Sequence, residues 1–412
     1  MMKRIFAFLC AAVMACSCST TPNVKVTFEN STNVDRKEEM AEVDLESVKS
    51  QLALEGDASL VVYNPRGKEI PSQITYDGKL IFQVDVAPQS SSTYKIEAGV
   101  PAEYETMVYG RKFPERLDDF AWENDRCAYR VYGPASQALD QKLYGYDVWT
   151  KSVPHMILEE RYRKDLDPAW RAEIAKVAVT DQDKADEMLR SVSFHVDHGD
   201  GMDAYNVGPT LGAGTAALMH QGAIVYPYCY EEYEVLDNGP LRLTVKLTFG
   251  ANAVGKNEDV VEIRTITADA GSHFNKTTII YENLKKSSSI VAGIVMASAK
   301  SKQTKVSKEE GFAAYADIDR DPKDGAIFVG TIFTTPVKSA GIMPFTNDDP
   351  VLKQAGMTGH VALIGDYAPQ TEFVYYWGAA WAKANITTFD EWVDLLSATS
   401  AMVKYPLVVT MK

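Results

Sequence analysis

The sequence predicts an all-β protein: a large antiparallel β-sandwich with a helical and loop insertion over about residues 144–190 and a short helix near the C-terminus. Three observations carry this. Short apolar–polar alternations recur on both sides of the insertion and answer to strands with one buried face. Asn-Pro, Asp-Gly and Ala-Pro pairs punctuate them at hairpin spacing. Few helical periods separate the strands, which excludes a parallel α/β sheet, where each strand needs a crossover helix.

The chain opens on MMKRIFAFLCAAVMACSCST, with Lys3 and Arg4 ahead of an apolar run from Ile5 to Ala15. That run is short of the ~20 residues a bilayer span needs and reads as a secretory signal over residues 1–15. Val13-Met14-Ala15-Cys16 has the form of a lipobox, so Cys16 is the expected lipidation site, with Cys18 as the competing choice. The expectation is a periplasmic, membrane-anchored lipoprotein that meets the membrane through its lipid alone; cell-surface display or free secretion is the alternative. Residues 16–23 read as a linker, and 24–412 as a single sandwich domain.

NVKVTFENSTNVDRKEEMAEVDL begins the alternation, and four further strand-length runs follow before residue 100, with Val61, Ile74, Leu80 and Phe82 among their apolar positions. The serine run at 90–92 and the KKSSS at 285–289 read as hairpin loops. From Tyr144 to about Arg190 the pattern turns helical, with Glu160 and Lys164 four apart on one face. Beyond Gly222 eight strand-length segments return, and Asp237-Asn238-Gly239-Pro240 makes a hairpin there. Thr388-Phe389-Asp390-Glu391 has the capping-box form, with Trp392, Leu395 and Leu396 on one apolar face of the helix that follows. The aromatic run Tyr375, Tyr376, Trp377 and Trp381 reads as core. Between twelve and eighteen strands fit this pattern.

The formal charge is −14, and removal of residues 1–15 takes away two bases and no acid, leaving −16. A chain so acidic repels phosphate backbones, and nucleic acid is excluded as a partner. Cys127 and Cys229 have no CxxC spacing, so cysteine-held metal is not expected; they read either as a pair or as separate buried thiols.

Two segments break the strand pattern with clustered charge. In YGRKFPERLDDFAWENDRCAYRVYGP, residues 109–134, a strand over Ala121–Val131 would put Glu123, Asp125, Cys127 and Tyr129 on one face and Trp122, Asn124, Arg126 and Arg130 on the other. Acids beside a tryptophan suit a sugar, whose hydroxyls donate to carboxylates while an indole covers the ring. Arg116, Trp122, Glu123, Asp125 and Arg126 are therefore the candidate substrate-binding residues; a solvated face of internal ion pairs is the competing reading. In FHVDHGDGMDAYNVGP, residues 194–209, glycines at 199 and 201 permit a bend that could aim His198, Asp200, Asp203 and Tyr205 at one point. Acid–base catalysis by His195, His198 and Tyr205 is one role; a divalent metal on His195, His198 and Asp200, or a structural loop, are others, and no cofactor is expected. No strand-GxGxxG-helix and no Gly-x-Ser-x-Gly is present.

The segments FPERLDDFAWENDRCAYRVYGP, GYDVWTKS, HVDHGDGMDAYNVGPTLGAG, RTITADAGSHFNKTTIIYENL and YYWGAAWAK, taken in order, resemble the DUF4861 family of Bacteroidota lipoproteins and secreted proteins. The resemblance implies a galactose-mutarotase-like supersandwich and a role in polysaccharide utilisation, pectin or ulvan above all. It also implies an oligosaccharide dehydratase or polysaccharide lyase, a carbon–oxygen lyase eliminating across C4–C5 of uronates. Such an elimination needs a cation for the sugar carboxylate, a base near neutrality and a proton donor for the leaving oxygen. Arg116 or Arg126, His195 or His198, and Tyr205 match those roles. A glycoside hydrolase using Glu123 with Asp125 or Asp200, or a non-catalytic glycan-binding lipoprotein, are the other readings. On each, the partner is an acidic oligosaccharide or glycan.

Overall fold

A computed structural model of the chain describes residues 22–297, 301, 303–318, 323–345 and 349–412. The predicted signal, Cys16 and most of the linker lie outside the described residues. Within them the chain is a β protein of antiparallel sheets with nine, five, five, four and three strands. More strand segments form than the twelve to eighteen expected, because ladders of two to four residues such as Glu69–Ile70, Ala223–Ile224 and Asn252–Val254 carry too little alternation to be read.

The first strands build a lobe of their own. In Asn23–Asn30 the side chains of Val24, Val26 and Phe28 point inward while Lys25 and Glu29 face solvent, the period of two that pleating imposes. This strand pairs with Ser90–Ala98 and, on its other edge, with Val408–Met411 from the far end of the chain. A three-stranded sheet built on Arg36–Asp44 and Lys79–Val86 closes over it, and Val43, Phe82, Tyr94 and Ile96 fill the space between. The serine run at 90–92 corrects the loop reading. It starts a strand whose alternate side chains face water, where serine has nothing to bury.

The larger lobe packs the nine-stranded sheet against a five-stranded one. Leu243, Ile279, Tyr375 and Trp377 from the first meet Ala216, Ile290 and Leu363 from the second in the largest core. Each fully buried leucine or isoleucine among them contributes ~1.5–3 kcal/mol. The aromatic run is therefore core, with Tyr376 alone of the four facing outward and half-buried. Cys127 and Cys229 are separate buried thiols, and burial pushes them up to about 12 and about 11.

The insertion holds the helices Leu158–Asp165, Pro168–Ala178 and Gln182–Val192. Asp167 and Asp181 cap the last two, and Glu160 reaches Lys164 at 3.2 Å as the spacing predicts. The C-terminal helix Phe389–Lys404 starts on the predicted capping box of Thr388 and Glu391. It lies so close to the nine-stranded sheet that a Cβ at Gly330 would meet Leu396 at 2.7 Å and displace that side chain.

A four-stranded sheet carries the predicted sugar ribbon. Its strands are Val108–Phe113, Asp119–Asn124, Ala128–Val131 and Asp147–Trp149. The single strand expected over 121–131 is instead a hairpin pairing Glu123 with Ala128. Asn124 Oδ1 accepts from the N–H groups of Arg126 and Cys127 at 2.9 and 3.0 Å, and that side-chain turn ends the strand.

Candidate functional site

The loop after the helix Gln182–Val192 bends as its glycines predict. Gly199 and Gly201 have φ of 98° and 118°, and a Cβ at Gly201 would sit 1.9 Å from Thr150 O. Asp197 ties the bend by accepting from Gly199 N–H at 2.9 Å and Gly201 N–H at 3.2 Å, with Lys383 on its other oxygen at 3.1 Å. Burial raises the Asp197 pKa, but these donors prevail and hold it below the usual range. Arg161 donates to Val196 O at 3.1 Å and also engages Asp200 and Gly201 O.

The bend separates the two histidines. His198 places Nε2 3.1 Å from Ser193 O, while His195 places Nδ1 3.0 Å from Asp203 O and 3.6 Å from Asp203 Oδ2. The His195 side chain is 60% exposed. Both neighbours of its Nδ1 are acceptors, so in the neutral ring Nδ1 carries the proton and the lone pair is on Nε2. The set His195, His198 and Asp200 thus divides among three partners. Among the described residues no group of three or more His, Cys, Asp and Glu is arranged to hold a metal.

Beneath His195 lies a buried charge network. Arg130 donates to Asp203 Oδ2 at 2.9 Å and through Nε to Asp147 Oδ2 at 2.9 Å, and its Nη1 stands 3.5 Å from Asp119 Oδ2. Tyr132 donates to Asp147 at 3.1 Å, and its ring lies 4.8 Å from the guanidinium. All five residues are less than a tenth exposed. Three carboxylates share one buried cation, and one of them yields. Burial above all, with Asp147 adding repulsion, raises Asp119 to about 6 although Arg130, Arg116 and the Gly133 N–H pull the other way. Its Oδ1 has no hydrogen-bond partner. Arg130 fixes the Asp203 carboxylate, while the Asp203 backbone carbonyl accepts from the His195 ring and holds it in one orientation.

The other sequence candidates lie elsewhere. Trp122 is fully buried, donating through Nε1 to Asn275 Oδ1 at 2.8 Å with its ring against Tyr129 and Trp377; it is core and covers no sugar. Glu123 is buried on Lys151 at 2.7 Å and accepts from Ile157 and Leu158 N–H, starting the first insertion helix rather than meeting solvent. Tyr205 is buried and donates to Val295 O at 3.2 Å, out of reach of a polymeric substrate. Asp125 accepts from Gly271 N–H at 2.6 Å, and Arg126 pairs with Glu38 of the small lobe at 2.5 Å. Arg116 ends one 3-10 turn, Pro114–Arg116, half-buried beside Asp119, with no ion-pair partner among the described residues. The ribbon and the histidine loop do meet, at Arg130 and Asp203. Sequence reasoning assigned no role to Arg130, Tyr132, Asp147 or Lys151, although all four fall in the RVYGP and GYDVWTKS segments that carried the family resemblance.

A concavity follows the seam between the lobes, a groove of about 470 Å³. Its floor includes Thr267, Lys276 and Tyr376; Glu38, Glu39 and Glu42 form one wall, and Leu395, Met402 and Val403 of the C-terminal helix form the other. Arg126 reaches it through Glu38, and the Lys383–Asn385 segment touches both regions: Lys383 holds Asp197, and Asn385 meets Nε2 of groove-lining His273 at 3.2 Å. Burial lowers His273 to about 4.

A family model described as a domain of unknown function, DUF4861, matches residues 28–409. The chain belongs to the DUF4861 family. It is also similar to Uncharacterized protein P7 of Formosa agariphila, 23% identical with 98% of each chain covered. Among solved structures it resembles a protein in the glycosyl hydrolase family 38 from Enterococcus faecalis, with a TM-score of 0.50 at 9% identity, and an alpha-mannosidase from Enterococcus faecalis V583, with a TM-score of 0.46 at 11%. Those matches cover 96% and 95% of this chain, but the chain spans about half the length of each solved structure. The first likeness supports the β architecture.

For a DUF4861 protein, then, the arrangement offers an exposed imidazole with a bare Nε2, a buried carboxylate behind it, and an arginine at the far side of the same network. That set can take a proton from carbon or water and hold the charge it gains.

Proposed function

We propose that this DUF4861 protein acts on carbohydrate chains carrying uronate units and eliminates across C4–C5, with His195 as the base. The observation that carries the reading is the exposed His195 ring, anchored through Nδ1 on Asp203, which Arg130 holds in turn. Nε2 takes the C5 proton, the electrons form the C4–C5 double bond, and the C4 oxygen leaves. The imidazolium can return its proton to that oxygen, a role Tyr205 cannot fill from the core. The sugar class draws support from the fold likeness to a glycosyl hydrolase family 38 protein, which carries a class and no residue roles. The hydrolase reading is weakened because Glu123 is buried and neutralised by Lys151. In the same proposal the leader directs export and lipidated Cys16 holds the protein at a periplasmic membrane.

The test is to incubate purified protein with pectin- and ulvan-derived oligosaccharides while following near-ultraviolet absorbance and product mass. The expected result is a conjugated chromophore, with loss of one water or of an alcohol fragment, and a fall of ~10²–10⁴ in rate for His195→Ala at unchanged melting temperature. Reducing ends without absorbance, or full activity in that variant, overturns the proposal.

A further inference from the structure

We infer that the groove along the lobe seam is a separate binding site for one acidic sugar unit. Its floor is a row of side chains across three neighbouring strands, Thr267 opposite Lys276 and Lys276 opposite Tyr376, all on the outer face of the nine-stranded sheet. Directly opposed side chains on adjacent strands stand ~4.5–5.5 Å apart at Cβ, so an ammonium and a phenol share one small area of floor.

Lys276 is the cation of this groove left for a ligand. Lys37 pairs with Asp35, and Arg242 is held between Glu42 and Asp269 at 2.6 Å each, whereas Lys276 is exposed and has no ion-pair partner among the described residues. The Tyr376 hydroxyl is raised to about 12 by burial and remains a proton donor. One wall presents carboxylates that can accept from hydroxyl groups, and the other presents the methyl and methylene groups of Leu395, Met402 and Val403.

A pyranose uronate has the complementary surface: one carboxylate for Lys276, a rim of hydroxyls for Glu38 and Glu42, and a face of C–H groups for the helix. The volume of about 470 Å³ lies within the range of small-ligand sites, and a seam between lobes is where such sites recur. This inference shares only the class of ligand with the proposed reaction; the site is distinct from His195.

The experiment is calorimetric titration of a trigalacturonate and of a neutral galactose trimer into the full chain carrying His195→Ala, so that no turnover intervenes. The inference expects the acidic trimer to bind, Lys276→Gln to weaken it at least tenfold while leaving any binding of the neutral trimer unchanged, and Ala398→Trp, which fills the groove, to abolish binding. No binding of the acidic trimer, or equal binding with and without Lys276, overturns it. The Lys276→Gln and Ala398→Trp comparisons report on the groove alone, so their failure leaves the elimination proposal standing, and a failure of elimination leaves them intact.

Discussion

The charges around Arg130 and those along the seam are arranged in opposite ways. Around Arg130 three aspartates, a tyrosine and a guanidinium are sealed from water and each has a fixed neighbour, so their energy goes into holding His195 in place. Along the seam Glu38, Lys37 and Lys276 stand in solvent, and the space beside them is open. Buried charge positions; exposed charge beside a cavity recognises. The difference predicts which substitutions cost stability and which cost affinity.

The largest effect falls on the buried side. Arg130→Ala leaves Asp119, Asp147 and Asp203 in a low-dielectric site without the guanidinium they share, and removing one partner of such a cluster costs ~3–5 kcal/mol. Urea unfolding of this variant and of Arg130→Lys would measure it; a loss under 1 kcal/mol would break the contrast. A smaller effect tests the same network by pH. Asp119 in the folded chain titrates near 6 and in the unfolded chain near its ordinary value close to 4. The fold therefore loses stability as pH rises from about 4 to about 6, by up to ~3 kcal/mol, and no more beyond. Asp119→Asn keeps the polar group without the charge and should be free of that loss. The measured quantity is the difference in unfolding free energy between the two proteins across that window, in which the opposing contributions of His273 and His360, both lowered by burial, cancel. The smallest effect belongs to the seam: Arg126→Ala removes a partly exposed pair with Glu38 and should change stability by less than ~1 kcal/mol.

Much of the scaffold was legible because its signals are local. Strand alternation, the Asp237–Pro240 hairpin, the Glu160–Lys164 pair and the Thr388–Glu391 cap each depend on residues within a few positions of one another. The site was less legible because it depends on registers that sequence does not show. Trp122 and Glu123 read as a sugar-facing pair because polar and aromatic residues in a strand suggest an open face. Both faces of that sheet are covered, one by Trp377 and the other by the first insertion helix. Asp119, Arg130, Asp147 and Asp203 come from separate strands and a loop, and only the folded hairpin brings them to one guanidinium. The histidine loop was read correctly as bent, yet the bend parts His195 from His198 instead of joining them, because each ring finds its own backbone carbonyl.

The pairing of Val408–Met411 with Asn23–Asn30 bears on how the molecule is made. The first lobe's sheet is completed by a strand that follows the whole larger lobe in sequence, so its edge stays open until that strand has been made. Closing that edge is a contact of very long sequence separation, the slowest kind to form. Until it forms, the uncovered strand is a ready template for another chain, and completion of the small lobe waits on a segment beyond the larger one rather than on its own first residues.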